Sequence, residues 1–521
     1  MRVIDYFDKG ARDNGARLFI LSDEGNVTYA EAGRHSWQLA AGLYARGFSP
    51  GAGVGVLAAN VNEALLGMLG LWRAGGVWAP LNHLNALSAT IDFMNEVKLE
   101  WLLLHSRFAD DVEEIRAGVP TLKHIVCLDK PFAGAEPMSD FLAAGAGVEV
   151  PDWSDPNGAA DASCGTWPTG GTTGKSKAVV WTNGVVSDLI ELCTRHWPAC
   201  DHPVNLMLAP ITHAAGVMAV ILASQGATVV MRPGFDAEDA LDCVERHGVT
   251  HLFLPPTAYY RMLEAQAARA RDCSSLQMLL IAAAPVSPEK LGEGVRVFGP
   301  CVAQCWGQAE APMLLTYLPP EEIAAAAAGD HPERLASCGR PTFSCQVEVM
   351  DEDGGILGSG QRGELVARGR LVTPGYLNRA EDTAAMRTFG WHHTGDVGYI
   401  DDDGFVYIVD RKKEMIITGG FNVFPAEVEA AIHALPEVRD CAVIGVPDDR
   451  WGEAVCAVVI PVDPTWADGD HIISASKAVL GSVKAPKVVH FVDALPSTPV
   501  GKVDKKALRA TYWAGRSRSV N

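Results

Sequence analysis

The sequence predicts an α/β protein built from several subdomains. Three observations predict it. A chain of 521 residues is too long for one ordinary core. Strand-like and helix-like segments alternate along its first half. Near residue 340 the texture changes to short alternating strands separated by Asp/Gly turns.

In order along the chain, residues 54–58 form an apolar run that predicts a buried strand, and Asn62 is placed to cap an apolar helix extending to Trp72. Residues 77–81 predict the next strand, with Pro80 near its end. The same alternation recurs at 101–104, 205–208, 228–231, 251–254 and 278–281, which predicts substantially parallel sheets. The alanine run 324–328 follows two glutamates and predicts a short surface helix. Residues 347–351 and 363–367 alternate as strands of a small β-rich subdomain, and 401–404 is an Asp/Gly turn. The charged run Arg411-Lys412-Lys413-Glu414 marks a junction. The expected division is therefore 1–410 and 411–521, the second part being a compact α/β domain.

Thr169-Gly170-Gly171-Thr172-Thr173-Gly174-Lys175-Ser176-Lys177 carries the clearest chemistry. Glycines let backbone N–H groups close on an anion, threonines add hydroxyl donors, and lysines add charge. A polyphosphate requires that combination. Gly174-Lys175-Ser176 matches the end of a Walker A loop, but Thr169 stands where that motif has its first glycine. A Walker A loop also opens a helix, whereas Ala178-Val179-Val180-Trp181 predicts a strand. The segment therefore reads as a phosphate loop of another kind, in a hairpin between strands.

Bulk properties narrow the partners. A formal net charge of −20 argues against a nucleic-acid surface and against non-specific binding to an anionic membrane. No run approaches eighteen apolar residues and the first residues lack an apolar signal region, so neither an integral membrane segment nor a leader is expected. The 12 cysteines contain no C-x-x-C pair, which predicts reduced thiols in a cytoplasmic protein. Oligomeric state has no signature here, and a homodimer is among the arrangements compatible with the sequence.

Seven further motifs follow the phosphate loop. They are Pro210-Ile211-Thr212-His213-Ala214-Ala215-Gly216, Ala282-Ala283-Ala284-Pro285, Trp306-Gly307-Gln308-Ala309-Glu310, His393-Thr394-Gly395-Asp396, Asp410-Arg411-Lys412-Lys413-Glu414, the run Gly419 to Glu429, and the run Pro496 to Lys505. In this order, over more than 300 residues, they resemble the adenylate-forming superfamily, in particular its acyl- and aryl-CoA synthetases. The resemblance implies a large N-terminal domain of two α/β sheets plus a small β-rich subdomain, with a smaller, mobile C-terminal domain. It implies ATP, Mg²⁺ and coenzyme A as cofactors and a small carboxylic acid as substrate.

Roles follow residue by residue from the same resemblance. Thr169, Gly170, Gly171, Thr172, Thr173, Gly174, Lys175 and Lys177 would hold phosphates. Glu310 matches the family glutamate that helps hold Mg²⁺. Ala283, Ala284 and Pro285 would line the adenine and the acyl carboxylate. Ala283 and Ala284 stand where glycine is usual at one or both positions. Trp306, Gly307 and Gln308 would flank the nucleotide. Ala309 replaces a hydroxyl residue that contacts the α-phosphate, a loss of about 1 kcal/mol of net hydrogen bonding. Asp396 resembles the carboxylate that accepts both ribose hydroxyls, and Arg411 the arginine reaching ribose or phosphate. Lys502 resembles the lysine bridging the acyl carboxylate and the α-phosphate. Lys413 falls at the family hinge, and Gly419 and Gly420 begin the loop lining the pantetheine tunnel. His213 matches a residue gating the acyl site. The small Ala214, Ala215 and Gly216, with Cys305, imply a roomy pocket.

Plainer roles stay open at this stage: a loop glutamate, a turn aspartate, a solvated charge cluster at Arg411, a core histidine, a solvated turn lysine. The reading favoured is an AMP-forming acid–CoA ligase acting on an aromatic or medium-to-long-chain acid. Alternatives are an enzyme loading its acyl group onto a carrier protein, a catalytically weak ligand-binding relative, or a P-loop phosphohydrolase, which needs a helix directly after the loop.

Overall fold

Strands that are apolar along their whole length must be covered on both faces, and the structure places them in that way. The computed structural model describes residues 1–151, 159–169, 176–419, 421–448, 450–498 and 503–513, with Asn422 described by its backbone alone. The chain gathers into two compact units: Met1–Gln346 with Ala367–His392, and Val347–Val366 with His393–Asn521.

The first unit holds two mixed sheets. One runs in the order Gly375–Tyr376, Ala178–Thr182, Ser163–Pro168, Val77–Asn82, Gly53–Ala58, Trp101–Leu104, His124–Cys127, Glu136–Pro137. From Ser163–Pro168 onward the pairings are parallel, whereas the first two strands in this order are antiparallel to their neighbours. The other sheet has parallel strands Val302–Gln308, Met278–Ile281, His251–Leu254, Val204–Met207, Thr228–Met231 and Leu18–Leu21 at its centre. Antiparallel strands flank them at both edges. Trp101–Leu104 and Met278–Ile281 are buried at every position. Each such leucine contributes about 1.5–3 kcal/mol through burial.

Two local features differ from expectation or refine it. Val61, not Asn62, precedes the Asn62–Arg73 helix, and it offers no side-chain cap. Asn62 is the first helical residue and is buried. Its amide Nδ2 donates to the Gly25 carbonyl at 2.9 Å, so it satisfies a distant loop instead of its own helix end. Pro80 lies inside the Val77–Asn82 strand. That strand keeps six residue pairs with Gly53–Ala58 but only Trp78↔Gly165 on its other side, as expected where proline offers no N–H to a ladder. The alanine run lies in the Pro320–Ala327 helix and the turn that ends it.

In the second unit, strands Cys345–Met350, Gly363–Gly369, His392–Ile400 and Val406–Arg411 lie side by side in a small sheet whose residues belong mostly to this unit. A further sheet runs Phe421–Val423, Ile416–Thr418, Gly452–Pro461, Val438–Asp448, with Val488–Phe491 added beside Gly452–Pro461. Its core joins Ile416, Val428, Ile432, Val443, Val455 and Ile472. No described helix is long and apolar enough to cross a membrane.

A buried charge cluster ties this unit together. Asp410 is buried and accepts the backbone N–H of Ala426, in the first turn of helix Pro425–His433, at 2.9 Å and that of Arg411 at 2.6 Å. A carboxylate at a helix N-terminus meets unpaired donors and the positive end of the dipole. Lys505 lies 2.8 Å from Glu429 and 3.5 Å from Glu414. Burial works against its ammonium, but Glu429, Glu414 and Asp410 outweigh that cost and raise its pKa. Burial pushes the Asp410 carboxyl up to about 6, against the opposing pull of Lys505.

A carboxyl raised by folding contributes stability that is present below its unfolded pKa and is lost as pH rises through the folded one. For Asp410 that window runs from about 4 to about 6. Asp410→Asn removes the titration while costing one acceptor at all pH values. Wild type should therefore lose roughly 2–3 kcal/mol relative to the variant between pH 4 and pH 7, read by denaturant unfolding. Parallel stability curves for the two proteins would contradict it.

Candidate active site

The Gly/Thr-rich stretch read as a phosphate loop lies between two paired strands. Ser163–Pro168 and Ala178–Thr182 are antiparallel, and among the described residues no helix lies between them. Its neck is closed by the Thr169 N–H donating to the Lys177 carbonyl at 2.9 Å and by the Ser176 hydroxyl donating to the Thr169 carbonyl at 2.8 Å. Gly170, Gly171, Thr172, Thr173, Gly174 and Lys175 lie outside the described residues, as do Gly420 and Lys502. Lys177 closes the segment. Its ammonium is 2.6 Å from Asp382 and 5.0 Å from the ring centre of Tyr376. The hydrogen bond from Lys177, helped by the charge of Arg379, holds the Asp382 carboxyl below its ordinary value.

Beside this hairpin lies the turn carrying Trp306 to Glu310. Val302–Gln308 and Ala311–Leu318 pair antiparallel with an irregularity between Trp306 and Gln308. Gly307 is required there, because a Cβ would stand 2.5 Å from the Met313 nitrogen. Trp306 is buried, while Gln308, Ala309 and Glu310 are half-buried. The Trp181 indole N–H donates to the Ala309 carbonyl at 2.8 Å, which joins the turn to the strand after the phosphate loop. The Gln308 amide oxygen is 3.3 Å from His392 Nε2. Glu310 is gripped twice: the Thr373 N–H donates to its carbonyl at 2.9 Å, and the Tyr376 hydroxyl donates to its Oε1 at 2.7 Å.

The acyl-side residues come from other elements of the same unit. His213 precedes the apolar helix Ala214–Ala223 and is half-buried. Its Nε2 is 3.0 Å from the Asn82 amide nitrogen, at the end of the central strand Val77–Asn82. The Asn82 amide N–H is placed to donate to that ring nitrogen. Gly216 has a structural reason: a Cβ would stand 1.9 Å from the Ile211 carbonyl oxygen. Ala215 is buried and Ala214 half-buried. Deeper in the helix, Val217, Val220 and Ile221 line a narrow apolar cavity with Trp72, Trp78, Trp167 and Trp181. Cys305 is buried with Cys193, Cys338 and Tyr317 as neighbours, and burial pushes its thiol up to about 12. An inert apolar filler suits that setting.

Ala283 follows the Met278–Ile281 strand with φ +77, a left-handed conformation that favours glycine. Ala283 and Pro285 are exposed and Ala284 half-buried, so this backbone presents itself at the end of a parallel strand.

The second unit places Asp396 directly across from Arg411 on paired strands, with Arg411 Nε 2.6 Å from Asp396 Oδ1. Asp396 is 3 % exposed in its side chain and Arg411 53 %, so the carboxylate is the fixed partner. Thr394 supports it by accepting the Asp396 N–H at 3.1 Å. Lys413 is exposed in the turn that follows. Gly419, at φ +57, donates to the Trp451 carbonyl at 2.8 Å and has the Trp451 ring where a Cβ would go. Tyr376, Thr373, Asp382, Trp181, Asn82 and His392 were not visible as site residues in the sequence. The Pro374-Gly375 pair before Tyr376 is the one local sequence signal near them, and Gly375 takes φ +127 in the edge strand.

Comparison with known proteins identifies the family. Residues 7–377 match the AMP-binding enzyme family and residues 427–502 the AMP-binding enzyme C-terminal domain. The medium/long-chain-fatty-acid–CoA ligase FadD8 of Mycobacterium tuberculosis is 37 % identical over 490 residues, covering 91 % of this chain and 84 % of that one. A feruloyl-CoA synthase of an Amycolatopsis species is 34 % identical over 489 residues, covering 93 % and 94 %. The structure of ATP-bound MatB from Rhodopseudomonas palustris superposes with a TM-score of 0.87 at 28 % identity, covering 98 % and 99 %. The chain therefore belongs to the AMP-binding enzyme family and, within it, to the AMP-forming acid–CoA ligases, which are ATP-binding, adenylate-forming enzymes.

One prediction follows from the Ala283 backbone. An L-residue in this region costs about 1–2 kcal/mol, of which glycine returns about 0.5–1 kcal/mol through the entropy of the unfolded chain. Ala283→Gly should thus stabilise the protein by roughly 0.5–1 kcal/mol in denaturant unfolding. A variant destabilised by that amount would show that Ala283 is not strained.

Proposed function

We propose that this protein couples an aromatic or medium-to-long-chain carboxylic acid to coenzyme A through an acyl-adenylate. The observation that carries the proposal is the joining of the phosphate-loop hairpin to Glu310, through Trp181, Tyr376 and Lys177. The acids named for the relatives support the substrate class.

In the first step a carboxylate oxygen attacks the α-phosphorus of ATP, and the bond to the pyrophosphate oxygen breaks. In the second, the CoA sulfur attacks the acyl carbon, the thiol proton is lost and AMP leaves. Glu310 presents one carboxylate, and among the described residues no cluster of three metal-binding side chains exists. One carboxylate plus phosphate oxygens is the manner in which Mg²⁺ accompanies nucleotides, so Glu310 fits that ion. Bound there, Mg²⁺ would neutralise phosphate charge. Lys177 and the loop donors hold the phosphates, and Lys177 exchanges Asp382 for them. Asp396 takes the ribose hydroxyls with Arg411 beside it. His213 bounds the acyl carboxylate. Lys502 is assigned to the charge that develops during adenylation.

The thioester step needs Gly419 and Gly420 near the thiol, so we assign Lys413 as the hinge on which residues 411–521 turn. The Asp410–Lys505–Glu429 cluster spans that hinge and must rearrange with it. The cysteines are all free and, except Cys200, buried, which suits a reducing compartment, and we place the protein in the cytoplasm.

Pyrophosphate release across a panel of carboxylic acids tests the proposal. Release should require an aromatic or longer-chain acid, and AMP release should then depend on CoA. Phosphate release without any acid, or adenylation of short acids alone, would contradict it. Lys502→Ala should slow acyl-adenylate formation at least about 100-fold. It should leave thioester formation from supplied acyl-adenylate largely intact. Equal losses in the two half-reactions would overturn the role of Lys502.

A further inference from the structure

Glu310 must offer an oxygen to a cation in one fixed direction, yet it lies half-buried on a turn, where a glutamate side chain has several rotamers. Two contacts remove that freedom, and both come from the short stretch Thr373 to Tyr376. The backbone is held by the Thr373 N–H at 2.9 Å and the side chain by the Tyr376 hydroxyl at 2.7 Å on Oε1. A phenol donating to a carboxylate at that distance is a charge-assisted bond, stronger than a neutral one. It engages one oxygen and leaves Oε2 with no hydrogen bond among the described residues.

Tyr376 is itself anchored. Its backbone pairs with Val179 of the strand that follows the phosphate loop, and its N–H donates to Thr383 Oγ1 at 3.0 Å. Its ring lies 5.0 Å from the Lys177 ammonium. One side chain therefore touches both the carboxylate meant for the metal and the last cation of the phosphate loop.

We infer that Tyr376 is a positioning residue for the metal–nucleotide complex: its hydroxyl fixes the Glu310 carboxylate, and its ring faces Lys177. The inference rests on the reading of Glu310 as the Mg²⁺ carboxylate. A tyrosine phenol is protonated at neutral pH and so is available as a donor. Groups that orient a metal-binding side chain affect metal affinity about 10–100-fold.

The test is equilibrium binding of ATP to the full-length protein by calorimetry, without carboxylic acid or CoA, in Mg²⁺ and in EDTA. Wild type should bind ATP more tightly with Mg²⁺. Tyr376→Phe keeps the ring above Lys177 and removes only the hydroxyl. It should weaken binding in Mg²⁺ about tenfold and leave binding in EDTA unchanged. Glu310→Gln should erase the preference for Mg²⁺, and adding Tyr376→Phe to it should change nothing further. Tyr376→His, which retains a donor, should keep more of the preference than Phe; this variant decides the matter should the Phe variant fold poorly. Equal weakening in Mg²⁺ and EDTA, no weakening in either, or a full effect in the Glu310→Gln background would overturn the role of Tyr376. If Glu310→Gln erases the preference and Tyr376→Phe does not, only the tyrosine's role fails. If Glu310→Gln keeps the preference, the metal assignment fails and this inference with it.

Discussion

The hydrogen-bonded ladder between Ser163–Pro168 and Ala178–Thr182 is the constraint on which the candidate site depends. It brings the two ends of the Gly/Thr-rich stretch together, with Thr169 bonded to Lys177 and Ser176 at the neck. The second strand then does three jobs. It carries Lys177 at its mouth, it pairs with Gly375–Tyr376 along its edge, and through Trp181 it holds the carbonyl of Ala309. Without that strand, Glu310 and the phosphate loop would have no common frame. Ala309 also becomes intelligible in this setting. The turn is held by its backbone carbonyl, so its shape does not require a hydroxyl side chain.

The second unit solves a different physical problem. Three of its buried or half-buried charged groups are each matched by an opposite charge or a backbone donor. Asp396 is matched by Arg411, Asp410 by the start of a helix, and Lys505 by two glutamates. Buried ions of this kind are stable only in one arrangement, because removing one partner leaves the other uncompensated. That property suits a segment assigned to change its contacts between two half-reactions: each arrangement is well defined, and the cost lies in the exchange.

Much of the fold was legible in the chain, because strands buried on both faces are written as unbroken apolar runs. Residues 101–104 and 278–281 are clear cases. The hairpin was legible because β-branched Val179 and Val180 follow the loop where a Walker motif would continue as helix. Asn62 misled because a capping residue and a buried amide serving a distant carbonyl look identical in sequence. The site was legible where a motif is local. It was hidden where partners are remote: Tyr376 is 66 positions from Glu310 and Asp382 is 205 from Lys177. The alanine at 283 stood out where glycine is usual; the structure adds that its backbone is left-handed, which no pattern of side chains announces. Gly216, read as room for substrate, is also a point of close backbone approach, which the sequence did not announce.

The central claim is that the hairpin, the Glu310 turn and the Thr373–Tyr376 stretch act as one nucleotide-binding frame. Hydrogen–deuterium exchange with and without MgATP addresses it directly. The account predicts that amides in 163–182, 306–311 and 373–377 gain protection together, with the same dependence on nucleotide concentration. Protection of the hairpin alone, with the other two segments unchanged at saturating MgATP, would contradict it.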